Sequence, residues 1–431
     1  MTRRVLQFLL VACVLGTVPA GASDFEVWLV DQSNSPGKTY GGAIHIYEGS
    51  HLQGEAANDA RPSAVIDLGL ATSDLCLART GAVPVRAHMV VFNSTDTHAA
   101  LAFVASGHVV FFDARTRRPL ECIRMSPGAG GARQAHAAWP TRDDRYVLVA
   151  NQNGKRFERI RTDYATETFT YEPDSALDLA VGTTPSGALR QDPHLRPDTA
   201  PICPFVASDN GVAFTSLRGG GLFVIDFKTT PMRIVGEYDR TAIGANGCGF
   251  IEARGYVWAN AGGATPTSLD EFGVFRLQMS GYRASNPPNT PAITTVFTDN
   301  AHDRDAHGVA VTRKARYVWM FDRGANVVEV FDAQSLARVN TVDLVSAESA
   351  DPTPDLVGES PDGNRFFVSL RGPTPLSGDP HSSTGTTPGM AVVQLTENGR
   401  NGFVKAVIRI SNVDAAGVER ADAHGIRVRR K

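Results

Sequence analysis

The stretch HGVAVTRKARYVWMFD, residues 307–322, runs on into ANVVEVFDAQSLARVNTVDL, residues 325–344, and together they decide the fold. They contain four short runs rich in Val, Phe, Tyr and Trp, separated by turns rich in Gly, Asp, Asn and Ser. Runs of this kind read as strands joined in hairpins. The same plan appears from Asp355 (DLVGESPDGNRFFVSL), from His136 (HAAWPTRDDRYVLVAN) and from His88 (HMVVFNSTDTHAALAFVASGHVVFFDARTRRPLECIRM). It appears again from Cys203 (CPFVASDNGVAFTSLRGGGLFVIDF) and, with a shorter hairpin, from Cys248 (CGFIEARGYVWAN).

These units begin about every 45–60 residues, the period of a β-propeller blade. A seventh begins at His424 (HGIRVRR), and there the sequence stops. Its missing strands lie at the other end, in DFEVWLVDQ, GGAIHIYE and AVIDLGL. The expectation is a single all-β domain over residues 23–431, a seven-bladed propeller in which the C-terminal strand completes a blade with three N-terminal strands. Closing the ring removes the free edges of an open sheet.

The Ser-Pro-Asp-Gly turn, Val149-Ala150-Asn151 and the third strands ending at Asp332 and Asp226 resemble the YVTN-type seven-bladed propellers of bacterial exported proteins. That resemblance spans the mature chain and implies fold more than activity. A weaker resemblance extends to the propellers of the nitrous oxide reductase, thiocyanate dehydrogenase and methanethiol oxidase families, which hold copper with histidines on the propeller axis. No complete catalytic motif of those families is present, so no residue role is carried over from them.

Composition narrows the class. With 42% hydrophobic residues the chain can build a core, which excludes wholesale disorder. A formal net charge of −3, without a long like-charge run, excludes the basic footprint of a nucleic-acid binder. Residues 1–22 read as a secretory signal: Arg3 and Arg4, an apolar run from Val5 to Val18, and an A-x-A site at Ala20-Gly21-Ala22. Leu10-Val11-Ala12-Cys13 also resembles a lipoprotein box, but the apolar run continues past Cys13. The expected location is periplasmic or secreted, and no later stretch reaches the ~20 apolar residues of a membrane span.

Four cysteines remain after the signal. In an oxidising compartment they suggest disulfides Cys76–Cys122 and Cys203–Cys248, from matched positions in adjacent blades. The alternative for Cys203 and Cys248 is thiolate ligation of a metal.

Blades are related by rotation, so one repeat position forms a ring about the axis. That position holds His88, His136, Cys203, Cys248, His307, Asp355 and His424. Four imidazoles and a carboxylate at one mouth suit copper, zinc, iron or nickel. The expectation is that His88, His136, His307 and His424 converge on one metal, with Asp355 as ligand or acid/base group. The bland alternative is that these side chains cap the inner strands.

Residues two apart in a strand share a face. Asp305 and Asp422, in the matched strings DAHG, are therefore expected to orient His307 and His424. His194, His302 and His381 fall in loops on the same face, with Arg86, Arg218, Arg304, Arg323 and Arg371. Arg323 and Arg371 stand beside the channel, either to bind an anionic ligand or to pair with blade aspartates.

Three functions fit this reading: an exported propeller with an axial metal centre, copper for an oxidoreductase; a non-enzymatic scaffold binding a small molecule or protein on its loop-rich face; and a metal-assisted hydrolase of the lactonase kind. The last prefers carboxylate-rich mouths, and this one is histidine-rich.

Overall fold

A computed structural model of the chain describes residues 24–187, 199–244, 247–262, 272–285, 289–301, 304–376 and 383–431. Seven antiparallel sheets form seven blades. Their inner strands are Ala423–Arg430 (blade 1), Ala87–Phe92 (2), Ala135–Pro140 (3), Pro201–Val206 (4), Phe250–Ala253 (5), Ala306–Val311 (6) and Pro354–Glu359 (7). Blade 1 takes its innermost strand from the C-terminus, which pairs with Phe25–Asp31, and then continues through Ala43–Glu48 and Ala64–Asp67.

Alternation explains the packing. One side of each strand meets the blade before it and the other side the blade after it, so strands such as His98–Phe103 and Tyr146–Asn151 are buried at every position. Aromatic rings lock neighbouring blades. Trp28 meets Phe92 edge-on with centroids 5.2 Å apart, and Trp319 meets Phe366 in the same way at 5.3 Å. Pairs of this geometry contribute beyond their buried area.

Six of the seven inner strands, all but Phe250–Ala253, share an irregularity. Register breaks between Ala87 and Met89, Ala135 and Ala137, Pro201 and Pro204, Ala306 and Val309, and Pro354 and Val357. The C-terminal strand breaks similarly where Ala423 and Ile426 pair with Asp31 and Leu29. Each break is a β-bulge, which leaves a residue out of the ladder and re-aims its side chain. Glycine follows the bulged histidine at two of them. A β-carbon on Gly308 would collide with the Asp355 carbonyl, and one on Gly425 with the His88 carbonyl. The His-Gly pairs thus let adjacent inner strands approach at the axis.

One element departs from the expected all-strand pattern. AVIDLGL forms a strand only to Asp67, and Leu68–Thr80 is an α-helix. Asp67 caps it by accepting from the Leu70 amide, and Gly81 ends it in the left-handed region. Cys76 lies on this helix and bonds to Cys122 on the outer strand Pro119–Arg124 of blade 2. The expected disulfide is present, and it ties the helix to the outer strand of blade 2. The second disulfide, Cys203–Cys248, joins blades 4 and 5 at the axis.

The Cys76–Cys122 bridge closes a separation of 46 residues. In the chain-entropy account that is worth about 4 kcal/mol. The double substitution Cys76→Ala/Cys122→Ala should lower the unfolding free energy in urea by a few kcal/mol. A loss below about 1 kcal/mol would show that packing alone holds the helix to blade 2.

Candidate metal centre

The bulges deliver the ring residues to one place. His88, His136, His307, His424 and Asp355 are all buried, none more than 8% exposed. His88 and His424 stack with ring centroids 3.8 Å apart. His136 meets His88 edge-on at 4.5 Å, and His307 lies 5.7 Å from His424. The neighbours around the ring are those that blade order requires.

Hydrogen bonds set the tautomers. His88 Nδ1 lies 2.9 Å from Gln32 Oε1, an acceptor only, so Nδ1 carries the proton and Nε2 the lone pair. Gln32 is fixed in that orientation because its Nε2 donates to Asp422 Oδ2 at 2.7 Å. His424 Nδ1 donates to Asp355 Oδ2 at 2.6 Å, which leaves Nε2 as the free ring nitrogen. Arg371 joins the two halves. It donates to Asp355 Oδ2 at 2.6 Å and, from two nitrogens, to Asp422 at 2.7 and 2.8 Å. Arg323 donates to Asp305 at 2.7 Å and lies 3.6 Å from Asp355 Oδ1.

The inward-facing atoms are left over. His88 Nε2, His424 Nε2, both nitrogens of His307 and Asp355 Oδ1 are buried without a hydrogen-bond partner. His307 Nε2 lies 3.0 Å from Asp355 Oδ1 but off the line of a hydrogen bond. Among the described residues, two donor sets come within 4.8 Å of one another: His307, Asp355 and His424, and His136 with Cys203 and Cys248.

Burial governs the protonation of these rings. It holds His88 well below the usual imidazole range, reinforced by His424, His136 and Arg371 and opposed by Asp355. His307 is held down by burial and then by Arg323. His136 falls to about 3, from burial first and then from His424 and Arg218. For Asp355, burial pushes upward, but its interactions with His424, His307, Arg371 and Arg323 outweigh it and keep the carboxyl well below its ordinary value. The state at neutral pH is an ionised Asp355 with His88, His136 and His307 held neutral, which is the ligating form of an imidazole.

The structure redistributes several sequence assignments. Asp305 pairs with Arg323 and not with His307. Asp422 pairs with Arg371 and reaches His88 through Gln32, while the carboxylate orienting His424 is Asp355. Arg323 and Arg371 are buried in these pairs, and Arg304 is bound to Asp299, Asp322 and Glu329. The four histidines form one contiguous cluster, but the donor atoms divide: His136 Nδ1 faces Cys203 Sγ at 3.7 Å. Cys203 and Cys248 are joined to each other as expected. His194, His302 and His381 lie outside the described residues. Gln32 was missed by the sequence reading; its one signal is its place just beyond the strand that receives the C-terminus.

The same architecture occurs in solved structures. A candidate 6-phosphogluconolactonase from Bacteroides fragilis is 10% identical, with 94% of this chain and 98% of that one covered and a TM-score of 0.57. A protein from Lactobacillus plantarum is 10% identical, with 94% and 99% covered and a TM-score of 0.61. At this identity the likeness is one of fold. No family model and no curated protein matches the chain.

The depressed imidazoles make stability depend on pH. Below about 6.5 the unfolded chain takes up protons at these histidines while the folded one does not, so stability is complete above that pH and declines beneath it. For His136, with its folded value of about 3, the loss between pH 7 and pH 5 is about 2 kcal/mol. Urea unfolding of chelator-treated protein at both pH values should show it, and His136→Gln should reduce the loss by about that amount. An unchanged pH dependence in the variant would mean that His136 is protonated in the folded protein.

Proposed function

We propose that this is an exported propeller holding a transition-metal ion on its axis, with His307, Asp355 and His424 as ligands and His88 beside them. The observation that carries this reading is a set of buried atoms lacking partners, both His307 nitrogens, His424 Nε2 and Asp355 Oδ1, on three residues whose donor atoms lie within 4.8 Å of one another, with His88 Nε2, also unpartnered, on the ring stacked against His424. Leaving one buried polar group unsatisfied costs about 1–3 kcal/mol. A shared cation relieves Asp355 Oδ1, His424 Nε2 and one nitrogen of His307 together. The outward-facing atoms support the same reading, since Gln32 and Asp355 hold His88 and His424 in tautomers that turn Nε2 inward.

Two imidazoles and a carboxylate form a mixed donor set taken by copper, iron and zinc. A copper or iron ion there would support an oxidoreductase, of which the copper form is the finer proposal. A zinc ion would instead activate water for hydrolysis. Asp355 would serve as ligand and, through Oδ2, as the anchor of His424 and Arg371. The leader at residues 1–22 and the two disulfides support a periplasmic or secreted location.

Elemental analysis of the full chain, expressed with its leader and purified from the exported fraction, tests the proposal. About one equivalent of a transition metal is expected, with its identity choosing between redox and hydrolytic chemistry. His307→Ala/His424→Ala should abolish binding while the β-sheet spectrum stays intact. Gln32→Leu, which takes one partner from Asp422 and so loosens the Arg371 that holds Asp355, should weaken it by about tenfold, the low end of the usual cost of losing an outer partner of a metal site. A metal-free protein that also fails to take up added copper, iron or zinc would overturn the proposal and favour a scaffold using its loop face.

A further inference from the structure

Cys203 and Cys248 occupy the same ring position as the histidines, in the blades between His136 and His307. Three further observations surround them. His136 Nδ1 faces Cys203 Sγ at 3.7 Å, with a ligand atom of each of His136, Cys203 and Cys248 within 4.8 Å of the others. Met89 Sδ lies 3.9 Å from Cys203 Sγ. A cavity of about 300 Å³ is lined by both Met89 and Cys248, with Phe205, Phe250 and Leu356 beside them. Two sulfurs, a thioether and an imidazole thus meet beside this cavity.

The geometry points to a second, soft-metal site that is closed while Cys203 and Cys248 are joined and opens when they are reduced, with Cu(I) as the ion it takes. Reduction by a thiol or phosphine adds two electrons and two protons and converts the S–S bond into two thiols. A dithiol reductant leaves as its own disulfide; a phosphine leaves as the phosphine oxide, with oxygen taken from water. Cu(I) then binds the two sulfurs as thiolates, and the two thiol protons are released to solvent. His136 supplies a third donor and Met89 a fourth, a set whose softness favours Cu(I) over the hard divalent ions. The site does not depend on the His307–Asp355–His424 centre, although His136 touches His88 and so places the two within one imidazole of each other.

The test uses the full mature chain, stripped of metal and titrated with Cu(I) against a colorimetric Cu(I) chelator, before and after treatment with a phosphine. The reduced protein should take up one more equivalent than the oxidised protein. Cys203→Ser/Cys248→Ser should lose that equivalent, and His136→Gln should weaken it at least tenfold. Cys76→Ala/Cys122→Ala should keep it, which assigns the added equivalent to the axial pair. His307→Ala/His424→Ala should also keep it, so failure of the axial centre and failure of this site are read separately. Should the axial cysteine variant not fold, alkylating the reduced wild-type thiols before titration gives the same readout. Equal uptake by oxidised and reduced protein, or undiminished uptake after loss or alkylation of Cys203 and Cys248, would overturn the inference.

Discussion

The antiparallel pairing of Ala423–Arg430 with Phe25–Asp31 is the constraint on which both the ring and its axis depend. Within the other blades, strands pair with near neighbours in sequence, and closing those loops costs little chain entropy. This pairing joins residues nearly the whole chain apart: Gln32 and Asp422 are separated by 390 positions. Side chains secure it as well as the ladder does. Asp31 accepts from the Asp422 amide, and Gln32 donates to the Asp422 carboxylate. The same contacts orient His88 and bring His424 to Asp355. Closing the propeller and assembling the candidate centre are therefore one event.

The fold was legible because propeller symmetry turns a position in a repeat into a position on a ring. His88, His136, Cys203, Cys248, His307, Asp355 and His424 could be placed together without knowing a single contact. The partners of Asp305 and Asp422 could not. The rule that residues two apart share a face assumes a regular pleat, and the bulges at Ala306–Val309 and Ala423–Ile426 break it at the residues concerned. The long side chains of Arg371 and Arg323 reach the aspartates, the second of the two roles the sequence left open for them, while period-two reasoning alone does not say which aspartate each one takes. The helix Leu68–Thr80 was missed for another reason. Its apolar residues follow no clear helical stripe, and it is marked chiefly by its ends, Asp67 and Gly81.

The chemistry of the axis is not what stability alone would select. Replacing a buried ion cluster with packed apolar side chains is often neutral or stabilising, whereas removing one member costs about 3–5 kcal/mol. Elsewhere the blades are held by apolar strands and aromatic pairs such as Trp28–Phe92 and Trp319–Phe366, and residues as apolar as Met89, Phe205, Phe250 and Leu356 line the inner strands just past the ring position. An all-apolar axis was thus within reach of this fold.

Instead, Asp305, Asp355, Asp422, Arg323 and Arg371 are buried together, and they constrain one another so that each has its partner. What the arrangement gains is geometric. Asp355 is held ionised, with one oxygen engaged by Arg371 and His424 and the other pointing toward His307. Gln32 and Asp355 fix which nitrogen of His88 and His424 faces inward. A cluster maintained only to join blades would satisfy its inward atoms as fully as its outward ones. This one pairs Nδ1 of His88 and His424 and one oxygen of Asp355 and leaves their other polar atoms unpartnered, with donors of His307, Asp355 and His424 within 4.8 Å of one another, which is the asymmetry expected of a site built around something it binds.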